Sequence, residues 1–288
     1  MNRSKAISLL LPALAFTACA QKKHLYTSPE GYTFNNPVIY NMPDALLEVS
    51  GIAFHDGKSD TIYAEQDEEG KIFYFRPGEG TQQATGIKFG KNGDYEDIAL
   101  CGDYVILLRS DGVLFGIPFA EVRQGAIATV TKWKDLLPAG EYEGMYADNA
   151  SSRIFVLCKN CKKDKHTNQV SGYILQMAGG GSLQPAGNFS IATSDIARMT
   201  GVKAIQLKPS ALAKNNRTGE WYVLSSVNKM LVITDEQWNT KEIFRLDPAL
   251  FIQPEGIAFD REHALYISNE GSGAKPGTVL KFTFHASR

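Results

Sequence analysis

The chain has 288 residues, 43% hydrophobic and 21% charged, which is enough apolar material for a sizeable core and too much for a disordered chain. The 30 Lys and Arg against 31 Asp and Glu leave no basic footprint for a nucleic acid, and no apolar run reaches the ~18 residues of a membrane span. With 26 Gly, 12 Tyr and 15 Phe, the composition favours turns and aromatic strands, an all-β fold over a helical bundle.

The N-terminus reads as an address. Asn2-Arg3-Ser4-Lys5 is a short basic region, and the apolar stretch from Ala6 to Ala15 is too short to span a bilayer. Phe16-Thr17-Ala18-Cys19 then resembles a bacterial lipobox, although Phe16 stands where Leu is usual. Residues 1–18 are therefore expected to be a lipoprotein signal peptide, Cys19 the lipidated residue, and 19–31 a tether. Two kinds of acyl chain on one cysteine would anchor the protein firmly to a membrane of the bacterial cell envelope, where calcium is not held at cytosolic trace levels.

From residue 32 onward one pattern recurs. It reads Glu48-Val49-Ser50-Gly51-Ile52-Ala53-Phe54, then Asp94-Tyr95-Glu96-Asp97-Ile98-Ala99-Leu100, Glu141-Tyr142-Glu143-Gly144-Met145, Lys208-Pro209-Ser210-Ala211-Leu212, and Pro254-Glu255-Gly256-Ile257-Ala258-Phe259. The spacing is about 45 residues, that of a four-stranded propeller blade. After each copy come a second strand, such as Tyr104 to Leu108 or Trp221 to Leu224, and a turn with a third strand, such as Gly70 to Phe75 or Gly277 to Phe282. The interval from Glu143 to Ser210 is longer. We read the excess as an insertion in blade three carrying a short helix that Ser194 N-caps, with a degenerate sixth blade as the alternative. The last copy lacks one strand, which the segment from Tyr32 to Tyr40 supplies. The expected fold is thus a single five-bladed β-propeller over 32–288, closed by an N-terminal strand that leaves no open edge in the last blade.

These motifs, in this order, resemble the SdiA-regulated (YjiK-like) family of bacterial envelope proteins. Tyr63-Ala64-Glu65-Gln66-Asp67, Gly93-Asp94-Tyr95-Glu96-Asp97, Tyr142-Glu143-Gly144, Lys208-Pro209-Ser210 and Gln253-Pro254-Glu255-Gly256 carry the likeness, which covers nearly the whole mature chain. The resemblance implies a five-bladed propeller with NHL-like repeats and bound calcium, and no catalytic activity established for the family as a whole. Some relatives are linked to calcium response and carry a phytase designation.

Equivalent positions on the innermost strands form a ring around the axis: Ser50, Glu96, Glu143, Ser210 and Glu255. No Lys or Arg is expected in that layer. Carboxylates crowded together raise one another's pKa unless a cation intervenes, and Ca2+ is a hard ion that takes six to eight oxygens. Glu96, Glu143 and Glu255 are therefore the candidate metal ligands, and a solvated channel lining is the alternative. Asp97 either contributes or faces a blade interface. A second layer of mixed sign lies at the ends of the second strands. Asp67, Arg109, Lys159 and Glu270 belong to it and, together with Glu65, are the further candidate metal or ligand contacts, with ordinary solvated loops as the alternative reading of this layer.

Cys158-Lys159-Asn160-Cys161 is a C-x-x-C without the further ligands a zinc site needs, so a local disulfide or two free thiols are the open readings. Nucleophile elbow, zincin, P-loop and EF-hand patterns are all missing. The function expected from these features is a calcium-binding envelope propeller, expected to be a monomer, that binds or scaffolds an unidentified protein or small polar ligand at its loop face. The alternative is a calcium-dependent phosphohydrolase of phytase-like type, with Arg109 and Lys159 facing the phosphate.

Overall fold

A computed structural model describes residues 26–78 and 80–286. The signal peptide, the lipobox and Cys19 lie outside the described residues. Five four-stranded antiparallel sheets make up the described chain, with no sixth. Their inner strands are Val49–His55, Tyr95–Cys101, Gly140–Asp148, Ala211–Lys214 and Pro254–Phe259, which number blades one to five. Blade five takes its outermost strand from the N-terminal side: Val38–Asn41 pairs antiparallel with Thr278–Phe282, Val38 opposite Lys281 and Asn41 opposite Thr278. This is the expected closure, although Tyr32 and Phe34 enter the core as loop residues and not as strand.

Each sheet buries both faces between its neighbours, so the core divides into five wedges. Between blades one and two lie Tyr63, Ile72, Ile98, Leu107 and Phe115. Between blades three and four, Trp238 stacks on Phe189 and on Trp221, with ring centroids 3.6 Å and 4.4 Å apart. Wedges of this kind suit β-branched and aromatic side chains on a pleated surface, which accounts for the strand composition.

The long interval in blade three is a hairpin, Gln169–Ala178 with Ser182–Ala192, followed by the helix Thr193–Thr200. That helix starts one residue before Ser194, and Ala192 at its N-cap makes no side-chain bond. Ser194 therefore does not cap it. Its last turn instead closes on Gly201 in the left-handed region (φ 73°), whose N–H reaches the carbonyls of Ala197 and Arg198.

With only five blades, the inner strands approach closely at the axis. The position after the ring residue is accordingly Gly51, Gly144, Ala211 or Gly256 in four blades. A Cβ on Gly51 would lie 2.4 Å from Asp97 Oδ1 and 2.6 Å from the Ile98 nitrogen, and one on Gly256 would lie 2.3 Å from the Ser50 carbonyl. Blade two breaks the rule with Asp97. Its buried carboxylate accepts the N–H of Ile98 at 2.8 Å and, across the seam, the N–H of Met145 of blade three at 2.6 Å. Asp97 is therefore a bond between blades, not a metal ligand. Gly51→Ala should destabilise the domain by about 1–3 kcal/mol through overpacking against this carboxylate, whereas Gly78→Ala, with open space at its Cβ, should be near neutral. Urea unfolding of the two variants checks this.

Candidate functional site

The ring residues reach the axis because the inner strands are bulged there. Pairing with the second strand skips one residue between Tyr95 and Asp97, between Tyr142 and Gly144, and between Pro254 and Gly256; the skipped residues are Glu96, Glu143 and Glu255. Blade one skips Ser50 and Gly51. In blade four, Ser210 sits just before the strand, its N–H bound to the Leu224 carbonyl. A bulge leaves its extra residue out of the ladder and re-aims the side chain. The ring was legible as a repeated position, but the bulge that builds it was not.

Burial, more than mutual repulsion, raises the carboxyls of the cup. Burial pushes Glu96 up to about 10, helped by the charges of Glu143, Asp94 and Glu65. Burial also raises Glu143, to about 7, against the opposing pull of Lys159. Glu255 is raised by burial too, with Ser226, Lys159, Lys229 and Ser210 partly offsetting it. The second layer extends the negative field. Glu270 is pushed up to about 8 by burial and by Glu255, Asp67, Glu48 and Glu143, and Asp67 to about 6 by burial and by Glu48, Glu68 and Asp94.

Glu65 is fully buried on the flank of this cup. One oxygen accepts the Gly51 N–H at 2.7 Å; the other, Oε2, has no hydrogen-bond partner, and neither has Asp67 Oδ1. Burial, then the charges of Asp97, Asp67 and Glu270, hold the Glu65 carboxyl well above the usual range. Sequence reasoning named Glu65 as a further candidate ligand but had no signal for its burial.

Two basic residues depart from expectation. Lys159 enters the ring layer, which the sequence suggested would be free of cations. Its ammonium donates to Glu143 and lies 3.7 Å from Glu141. Burial works against the charged ammonium, yet the carboxylates of Glu143, Glu141 and Glu255 hold it above its ordinary pKa. Arg109 does not join the cup. It forms a two-armed pair with Asp111 of its own hairpin, at 2.9 Å and 2.6 Å, which removes one of the two positive partners a phosphate site would use.

Among the described residues, no group of three His, Cys, Asp or Glu closes on one point that would hold a metal ion. Glu96, Glu143 and Glu255 share the ring and its field, but with Lys159 inserted they are not drawn together on a single centre. The donor set is nevertheless all oxygen, and one buried oxygen each of Glu65 and Asp67 lacks a hydrogen-bond donor. These features fit a hard cation better than a transition metal. The opposite end of the axis differs in chemistry: a cavity of about 530 Å³, floored by Ile52, Leu100, Met145, Leu212 and Ile257, opens there.

A closed ring of five sheets around a polar axis defines the molecule as a five-bladed β-propeller. Residues 142–272, from the inner strand of blade three to the turn after the second strand of blade five, match the family model described as SdiA-regulated, which bears out the resemblance carried by the motifs. No curated protein sequence matches the chain. Among solved structures, the glutaminyl cyclase of Myxococcus xanthus is similar with a TM-score of 0.57 at 12% identity, covering 87% of this chain and 96% of its own. A luciferin-regenerating enzyme is similar with a TM-score of 0.53 at 11% identity, covering 86% of this chain and 95% of its own. At such identities the likeness is one of fold.

The raised carboxyls give the fold a defined pH response. A group that holds its proton longer folded than unfolded stabilises the fold below its unfolded pKa and loses that contribution as the pH rises through its folded value. For Asp67, Glu143 and Glu270 the window runs from the ordinary carboxylate range up to about 6, 7 and 8. In chelator, urea midpoints of the domain should fall as the pH rises from about 5 to about 8. Glu143→Gln with Glu270→Gln should flatten the slope.

Proposed function

We propose that this protein is a calcium-binding β-propeller of the bacterial cell envelope that works as a binding module, presenting its loop face to a protein or small polar ligand. The single observation that carries this reading is the axial cup itself. Glu96, Glu143, Glu255 and Glu270, with Asp67 and Glu65, form an all-oxygen set whose carboxyls burial raises, in most of them with help from neighbouring carboxylates, and Lys159 and Lys229 are the cations that oppose the shift. Glu96, Glu143 and Glu255 would hold the ion, with Glu65, Asp67 and Glu270 behind them. When bound, calcium supplies charge neutralisation, which lets neighbouring carboxylates ionise together and ties blades two, three and five at the axis.

The chain's own residues keep this cup in place. Ser210 Oγ donates to the Pro254 carbonyl at 2.8 Å and Ser268 Oγ to the Ser50 carbonyl at 2.5 Å, so blade four is fixed to five and five to one at the ring level. Lys229 donates to the Ile252 carbonyl at 2.5 Å and steadies the turn leading to Glu255.

The envelope assignment, with lipid anchoring at Cys19, rests on the N-terminal pattern. A disulfide between Cys158 and Cys161 suits an oxidising compartment. The acidic axis disfavours nucleic acid as a partner. We also take the protein to be a monomer.

Isothermal titration of calcium into the domain, paired with thermal melts, tests the reading. Calcium at about 100 times its Kd should add about 2.7 kcal/mol of stability. Glu96→Gln and Glu255→Gln should each weaken binding at least tenfold. Neither heat nor a melting shift in the wild-type domain would overturn it.

A further inference from the structure

We infer that Lys159 is a tethered counter-ion that occupies the axial cup in place of a metal and sets the cup's affinity for calcium, and that the Cys158–Cys161 disulfide is the device that holds it there. The inference rests on the calcium reading above and goes beyond it, because it assigns the tuning of that site to a cation the chain itself provides.

Blade three carries a second bulge. In the pairing of its two inner strands, Glu141 lies opposite Asn160 and Tyr142 opposite Cys158, so Lys159 is left out of the ladder. An unpaired residue on a strand would ordinarily turn to solvent. Here the two flanking cysteines are joined, and the bulge is closed into a small covalent loop. The loop is packed from below. Both cysteines are buried against Tyr142 and Tyr173, and a Cβ on Gly140 would lie 2.9 Å and 3.0 Å from the two sulfurs, so that position must remain glycine.

Neighbouring residues hold the other side of the loop. The Asn160 amide donates to Glu141, and the Lys208 ammonium donates to Asn160 Oδ1 and lies 3.5 Å from the Lys159 carbonyl. Lys208 belongs to the segment that leads into blade four, so the loop is fixed across the seam as well as within its own blade. The result is that the Lys159 side chain, one quarter exposed, is aimed at Glu143, which is 6% exposed, and at Glu141.

A lysine in that place meets the same demand a divalent cation would meet. It pairs directly with one carboxylate, offsets Glu96 only through space, and occupies the Glu143 oxygen that a multidentate oxygen set would use. A calcium ion must therefore displace the ammonium from Glu143 before that residue can ligate. Affinity becomes the difference between two cations for one cup, and removing the tethered one should strengthen binding of the free one. A purely structural role for Lys159 predicts the reverse, because loosening the bulge would scatter the ligands.

The test compares wild type, Lys159→Met, Lys159→Arg and the double variant Cys158→Ser/Cys161→Ser, each checked for native circular dichroism. Two readouts are taken: calcium affinity by titration calorimetry, and melting temperature in chelator. Lys159→Met should bind calcium at least tenfold tighter than wild type and melt several degrees lower in chelator, with calcium restoring the loss. Lys159→Arg, which keeps the charge, should stay weak. The double cysteine variant should move toward Lys159→Met in both readouts. Equal or weaker calcium affinity in Lys159→Met would overturn the inference and leave the calcium reading intact. If no variant binds calcium, the calcium reading falls, and with it the part played by Lys159 in affinity. The chelator melts then decide whether Lys159 is the cup's counter-ion, and equal melting temperatures would remove that too.

Discussion

The close approach of five inner strands at one axis governs the rest of this structure. Side chains cannot fit between backbones that nearly touch, so the contact position is Gly51, Gly144, Ala211 or Gly256. The strands also bulge one residue earlier, and in blades two, three and five the residue left out of the ladder is a glutamate. One steric constraint thus produces both a tight ring and a carboxylate cup at its mouth. Asp97 shows how firmly the constraint acts. The single acid placed at a contact position is accommodated only because its oxygens take two backbone N–H groups, one of them from the next blade, and because Gly51 makes room.

The fold was readable because repetition amplifies weak local signals. No one copy of the motif specifies a propeller, but five copies with a common second and third strand do, and the missing strand of the last blade points to closure by Val38–Asn41. Glu96, Glu143 and Glu255 could be placed on one ring by the same repetition. What escaped was everything decided by register or burial and not by period. A one-residue bulge in the second strand of blade three carries Lys159 into the ring, and nothing in a C-x-x-C announces a bulge. Arg109 and Asp111 are two residues apart, a spacing that reads as an ordinary turn, yet the pair withdraws the arginine from the axis. Glu65 sits on an alternating strand where a charged residue would be expected to face water, and instead it is fully buried.

The two ends of the axis are chemically opposed. One is crowded with carboxylates, while the other opens through a cavity with an apolar floor and a rim of turn residues. On that rim Asp148 and Asp260 spend their oxygens on local turn bonds, Asp260 accepting the N–H groups of Glu262 and Ala264 and the hydroxyls of Ser59 and Tyr266. Acids there are structural. At the cup, by contrast, oxygens remain without donors. Counting acidic residues would not distinguish the two ends, whereas counting satisfied oxygens does.

The same distinction explains why a lysine in the cup is informative. Two unit charges about 4 Å apart attract by roughly 4 kcal/mol at an effective dielectric of 20, so one ammonium among several carboxyls is a substantial counterweight without being a complete one. Glu143, which the ammonium touches, rises only to about 7, whereas Glu96, which feels it only through space, rises to about 10. The contrast between two glutamates at equivalent positions agrees in direction with what a local cation does to a buried carboxyl. A divalent ion shared by both would act on Glu96 as Lys159 acts on Glu143, and the residual protonation at Glu96 is the part of the cup's demand that the chain's own lysine leaves unmet.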